Sequence, residues 1–242
     1  MKKTLVILHG WGSSKKSFEP LLNYLDKKID VILFDLPGFG EIPIERPYTL
    51  EDYLIFLNEH LESELHLRKI EKMILLGHSF GGALALFYTF KNPEKVEKLL
   101  LYNAAILRPN TFKIKFLNFL SKISKPFLKI LPSKLVFFLK KVFYKFVVKS
   151  YDYFLADEVL KKTLANIRKD LREEAKMVKN KTYLLWGKKD KITPLKHGIF
   201  LEKIMPNAKL IVFDGGHSFH KENPEEFAKI LNKIILEDDG NY

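Results

Sequence analysis

The chain has 242 residues, 47% hydrophobic and 29% charged, enough for one large domain, with or without an inserted subdomain, and a sizeable core. It has no cysteine, which excludes disulfides, a catalytic thiol and thiolate metal sites. The formal charge of +12 is unevenly placed: residues 109–150 hold ten lysines, nine aromatics and no acid, leaving +2 for the rest.

The chain opens MKKTLVILHGWG. Two lysines precede an apolar run, but the run covers only Leu5–Leu8, short of the about 7–15 residues of a secretory core. It is expected as a buried strand, 4–8. No stretch approaches the roughly 18 uncharged apolar residues of a spanning helix, so a soluble cytoplasmic protein is expected. A helical pattern over 15–27 precedes a second strand, 30–35, and a helix over 50–66 leads to a third, 72–76. That strand runs into Gly77-His78-Ser79-Phe80-Gly81, and a helix follows over 80–91. A serine on a sharp strand-to-helix turn lifts its hydroxyl above the sheet edge. Glycines two before and two after it avoid the clashes that such a turn creates. The helix N-terminus aimed at the serine favours developing negative charge. A fourth strand is expected at 98–102.

From about 104 to 180 no strand is expected. Phe112, Phe116, Phe119, Leu120 and Ile123 repeat at steps of three and four, as do Leu135, Leu139, Val142, Phe143 and Phe146. Pro126 and Pro132 divide the pattern. Residues 105–179 are expected as a helical cap inserted between the fourth and fifth strands, with 1–104 and 180–242 forming the main domain. Strands 181–186 and 208–213 and helices 195–205 and 224–236 complete it. Asn223 suits a cap, Pro224 the first helical position, and two glutamates the positive end of the dipole. Unbroken apolar runs alternating with helices indicate an α/β fold: a doubly wound, mostly parallel sheet of about six strands.

His-Ser-Phe occurs twice, at 78–80 and 217–219. Neighbours along a chain rarely face each other, so neither copy supplies both a nucleophile and its base. In a parallel sheet the loops after the strands gather at the carboxyl edge. Ser79, after the third strand, and His217, after the sixth, are therefore expected on one rim.

Four segments carry a resemblance to the α/β-hydrolase family: His9-Gly10-Trp11-Gly12, Asp35-Leu36-Pro37-Gly38-Phe39-Gly40, the run from Gly77 to Gly82, and Asn92-Pro93-Glu94-Lys95-Val96. The likeness extends over nearly the whole chain. It implies a triad in the order serine, acid, histidine: Ser79 as nucleophile, Asp190 in the pattern Trp-Gly-x-x-Asp-x-x-x-Pro, and His217 as base. It also implies oxyanion donors from the backbone N–H groups of Trp11 and Phe80, elbow glycines Gly77 and Gly81, and no metal or cofactor. His220 competes with His217, and Asp35 and Asp214 with Asp190. Asn103 stands where some relatives place the acid, and it cannot carry the charge. His9 is expected to brace the oxyanion loop. His78 and Ser218 are expected to be bystanders, and His60, His66 and His197 filler. Two features depart from the family pattern. Two early strands are missing, which would make 30–35 an edge, and Glu41-Ile42 follows Gly40 where a small polar residue is usual.

The resemblance implies a serine hydrolase of carboxylic esters acting through an acyl-serine. Serine at 79 disfavours the epoxide hydrolases and dehalogenases, which use aspartate. A carbon–carbon bond hydrolase of ring-cleavage products would use the same three residues, and hydroxynitrile lyases and aminopeptidases share the framework. The basic cap has three readings: a packed lid with solvated lysines, a docking surface for an acidic acyl carrier protein, or an anionic-membrane contact. The carrier-protein reading draws on a similarity of the His-Gly-Trp-Gly and Leu-Pro-Gly-Phe-Gly segments to carrier-protein methyl esterases. No nucleic acid is expected. A non-catalytic binding protein using the basic cap is the alternative from another class.

Overall fold

The computed structural model describes residues 2–108 and 158–237. Six strands form one sheet: β1 Lys3–Leu8, β2 Ile29–Leu33, β3 Met73–His78, β4 Val96–Tyr102, β5 Lys181–Gly187 and β6 Ala208–Phe213. Their order is β2-β1-β3-β4-β5-β6, and every neighbouring pair is parallel. The inner strands are buried on both faces nearly throughout, which explains their unbroken apolar runs, whereas β2 and β6, at the edges, are only partly covered. The expected edge position of the second strand is therefore observed.

Successive strand residues point to opposite faces. Val6, Leu75, Leu99, Leu101 and Leu184 enter one core layer, with Ile7, Leu76, Leu100 and Leu185 in the other. The first layer is closed by α2 Leu50–Leu67, α3 Phe80–Lys91, α4 Glu158–Ile167, α5 Arg172–Met177 and α6 Lys196–Ile204. The second is closed by α1 Glu19–Leu22, α7 Phe219–Glu222 and α8 Pro224–Leu236. Local signals start the long helices. Thr49 and Asp52 form a reciprocal capping box on α2, and Asn223 accepts from Glu226 N ahead of Pro224 on α8. Lys98, buried within β4, reaches the carbonyls of Ile234 and Glu237 at the carboxyl end of α8.

The expected helix over 15–27 is a correction. Only a 3-10 turn, Lys15–Ser17, and the short α1 form there. The side chain of Asn232, on α8, accepts from Asp26 N and donates to Tyr24 O, so bonds to another element replace those that would have continued the helix. The two aromatic stripes and the ten lysines of 109–150, within the segment expected to form a cap, lie outside the described residues. Its described end, α4 and α5, buries Ile167, Leu171 and Ala175 in the first core layer. No helix among the described residues is long and apolar enough to cross a membrane.

Strand order reverses between β1, whose outer neighbour is β2, and β3, from which the sheet grows the other way. Ligands of open α/β sheets bind at the carboxyl ends of the strands flanking such a reversal. The loops there are His9–Gly12 and Gly77–Gly81.

Candidate active site

Ser79 occupies the turn between β3 and α3 with φ 53° and ψ −113°, a sparsely populated backbone conformation for a residue with a side chain. Its N–H donates to Tyr102 O and its carbonyl accepts from Ala105 N, so β4 holds the strained turn from one side. The flanking glycines are required by close approach. A Cβ on Gly77 would collide with Gly81 O, and one on Gly81 with Leu8 O. The loop after β1 lies against the same turn: a Cβ added to Gly10 would stand 3.3 Å from Ser79 Cβ. The Trp11 and Phe80 rings pack edge to face at 5.8 Å, which places the two expected oxyanion-donor residues side by side. His9 is buried. Its Nδ1 donates to Gly10 O, and its Nε2 accepts from Leu36 N. Burial lowers its pKa, consistent with that neutral arrangement. It braces the loop, as expected.

Asp190 follows β5 and is buried. Its Oδ1 accepts from the N–H groups of Ile192 and Thr193 at 2.7 and 2.9 Å. Its Oδ2 accepts from His217 Nδ1 at 2.7 Å and lies 2.7 Å from the Thr193 hydroxyl. Burial pushes the carboxyl up, but the bond and charge of His217 and the Thr193 donors outweigh it and hold the pKa below the ordinary value. The bond to Asp190 fixes the proton of His217 on Nδ1 and leaves Nε2 as the acceptor.

Of the predicted residues, Asp190 and His217 meet directly. Ser79 reaches their rim through its neighbour His78. The His78 ring lies 4.8 Å from the His217 ring, and His78 Nε2 donates to His217 O at 2.8 Å. Sequence reasoning set His78 aside, but it is a buried strut beneath the loop that carries His217. Burial, aided by the nearby imidazoles, holds its pKa well down. Asn103 was read only as a failed acid, and here it is a hub. It has φ 43°, a left-handed conformation that asparagine tolerates. Its Oδ1 accepts from Gly187 N at 3.0 Å, and its Nδ2 donates to Gly216 O at 3.1 Å and His217 O at 2.9 Å. Its carbonyl lies 2.9 Å from the Thr193 hydroxyl. The ends of β4, β5 and β6 are thus tied at one amide. Thr193, which the sequence reading did not single out, links this hub to Asp190. Its place in the Asp-x-x-x-Pro stretch was the available signal.

The rivals have other tasks. His220 is buried, stacks on Phe18 at 4.1 Å and takes the Tyr102 hydroxyl on Nδ1. Burial, with Lys221 and His217 nearby, pushes its pKa down to about 3. Asp214 pairs at the surface with Lys189. Asp35 accepts from Lys15 N and Glu41 N and shapes the turn before Pro37. Glu41, unexplained by sequence, pairs with Lys15 Nζ at 2.8 Å across that turn.

A buried carboxylate bonded to an imidazole and a serine on a strained strand-to-helix turn share the carboxyl edge of one doubly wound sheet, an arrangement of the hydrolase type. Comparison with known proteins agrees. Residues 5–230 match the model of the Alpha/beta hydrolase family, and the chain belongs to that family and is an enzyme of its hydrolytic class. It is 30% identical over 239 residues to a pimeloyl-[acyl-carrier protein] methyl ester esterase of Legionella pneumophila, covering 96% of this chain and 94% of the relative. It is 27% identical over 259 residues to the uncharacterized hydrolase YugF of Bacillus subtilis, covering 97% and 90%. Among solved structures it resembles the esterase EaEST of Exiguobacterium antarcticum, with a TM-score of 0.71, 23% identity and coverage of 97% and 92%.

Proposed function

We propose that the chain is a serine hydrolase of carboxylic esters. Ser79 Oγ attacks the ester carbonyl while His217 Nε2 takes its proton. Asp190 holds the imidazole in its tautomer and stabilises the imidazolium that forms. The N–H groups of Trp11 and Phe80 receive the oxyanion. His217 then returns the proton to the departing alcohol, and an acyl-serine is left for water to cleave by the same steps in reverse. The observation that carries this reading is the 2.7 Å bond between His217 and a buried Asp190, on the rim where Ser79 sits at φ 53°. The esterase names of the relatives support the choice of ester over carbon–carbon bonds.

In the same reading, residues 105–179 form a cap over the serine, the enzyme works in the cytoplasm, and the lysines of 109–150 dock an acidic carrier protein. The name of the Legionella relatives favours that partner over an anionic membrane. A fluorophosphonate probe tests the chemistry. Wild-type protein should label on Ser79, and Ser79→Ala should neither label nor hydrolyse p-nitrophenyl esters. A wild type that stays unlabelled would overturn the mechanism and favour a binding protein. An ester panel run with and without acyl carrier protein, over a range of salt, tests the partner.

A further inference from the structure

A group of arginines lies where the described chain leaves β4 and where it returns through α4. The two stretches are joined: Leu171 N donates to Ile106 O at 3.1 Å, and Arg108 N donates to Asp170 Oδ2 at 2.9 Å. Arg108, Arg168 and Arg172 thus belong to one neighbourhood with one central carboxylate. That carboxylate is fully engaged. Asp170 Oδ1 accepts from Arg172 N at 3.1 Å and Nε at 2.9 Å, while Oδ2 accepts from Arg172 Nη2 at 2.9 Å as well as from Arg108 N. Asp170 therefore neutralises Arg172. Among the described residues no acid forms an ion pair with the guanidinium of Arg108 or Arg168.

Arg108 is the more demanding of the two. Its Nε is buried and finds no hydrogen-bond partner among the described residues. Burial, reinforced by the charge of Arg168 and only partly offset by Asp170, pulls its pKa down to about 10. A half-buried cation facing a second cation is costly unless an anion joins it. His197, near the start of α6, lies in the field of both Arg108 and Asp190, and its Nδ1 is likewise buried without a partner among the described residues. Arg108 stands five residues beyond Asn103, the hub of the catalytic rim.

We propose that Arg108 recognises an oxyanion group, carboxylate or phosphate, carried by the substrate, so that the preferred esters have a second, negatively charged end. The planar guanidinium fork suits either group bidentately. The role of the anion as part of a substrate rests on the esterase reading above, but its binding does not.

The test separates the two. Ser79→Ala protein, which cannot turn over, is titrated calorimetrically with glutarate and with inorganic phosphate. The wild type is assayed on paired p-nitrophenyl esters, neutral and carboxylate-terminated, and on a phosphate-terminated ester. Adding Arg108→Met should weaken binding of the preferred anion by about 10- to 100-fold, the range of a charge-assisted bond. The ratio of kcat/KM for the anionic over the neutral ester should fall by a similar factor. Whichever anion binds tighter identifies the group. Methionine keeps the apolar stem. Should Arg108→Met lose the wild-type circular dichroism, Arg108→Lys, which keeps the charge but not the fork, takes its place and should still lower both quantities. Unchanged binding and an unchanged ratio in a folded Arg108 variant would overturn the proposal. Arg108-dependent glutarate or phosphate binding in a protein that no fluorophosphonate labels would uphold the anion site and remove the esterase reading.

Discussion

Replacing Asn103 by aspartate isolates one amide. The two side chains have the same shape, and both tolerate the left-handed φ of 43°. Only the donor is lost. The bond from Gly187 N survives, because an oxygen still receives it. The two donations from Nδ2, to Gly216 O and His217 O, become oxygen facing oxygen. Two net bonds are worth about 2 kcal/mol, and an unpaired carboxylate at a fully buried position raises the total to about 3–5 kcal/mol. The carboxyl should respond by protonating. Its folded pKa is then raised above the unfolded value of about 3.9, so the folded state binds the extra proton, and the deficit against wild type shrinks as pH falls, by up to about 1.4 kcal/mol per unit. Urea unfolding of both proteins at pH 7.5 and pH 5.5 reads this directly, because titrations common to both cancel in the difference. In the assay kcat should fall about 10- to 100-fold, since His217 O keeps only its bond from His78 and the base is less well placed. A deficit under about 0.5 kcal/mol at pH 7.5, with the same pH dependence as wild type, would refute the hub.

Buried histidines weaken the wild type in acid, His78 and His220 foremost. His78 and His220 have folded pKa values far below their unfolded value, so the unfolded chain binds more protons below about pH 6.5, and stability should fall as pH drops through that point toward pH 3. His220 alone should remove about 2 kcal/mol by pH 5, measured as a falling urea midpoint, and His220→Gln should flatten the slope. A midpoint unchanged between pH 7 and pH 5 would contradict the neutral, buried assignment. In Thr193→Val the shape is kept and the hydroxyl beside Asp190 Oδ2 is lost. The carboxylate, with one donor fewer, should hold a proton more tightly. Activity should fall about tenfold, mainly in kcat, and its acid-side loss should begin at higher pH. An unaltered pH–rate profile would reduce Thr193 to packing.

The amino-acid sequence by itself determined the six strands and their parallel pairing, because a strand covered on both faces is apolar at most positions, as in Leu5–Leu8 or Leu99–Tyr102. It also marked the serine turn, where Gly77 and Gly81 are required by contacts too close for any side chain, and it marked Asp190 and His217 as ends of strands sharing one edge. Tertiary structure decided what depends on partners distant along the chain. The helical spacing of 15–27 gave way to bonds from Asn232, about two hundred residues away. His78 and His220 look alike in sequence, yet one supports the loop that carries His217 and the other stacks on Phe18. Asn103 reads as an absent acid until Gly187, Gly216 and His217 converge on its amide. Periodicity and glycine spacing are local and survive in one dimension. The partner of a hydrogen-bonding side chain is chosen only when the strands are laid side by side.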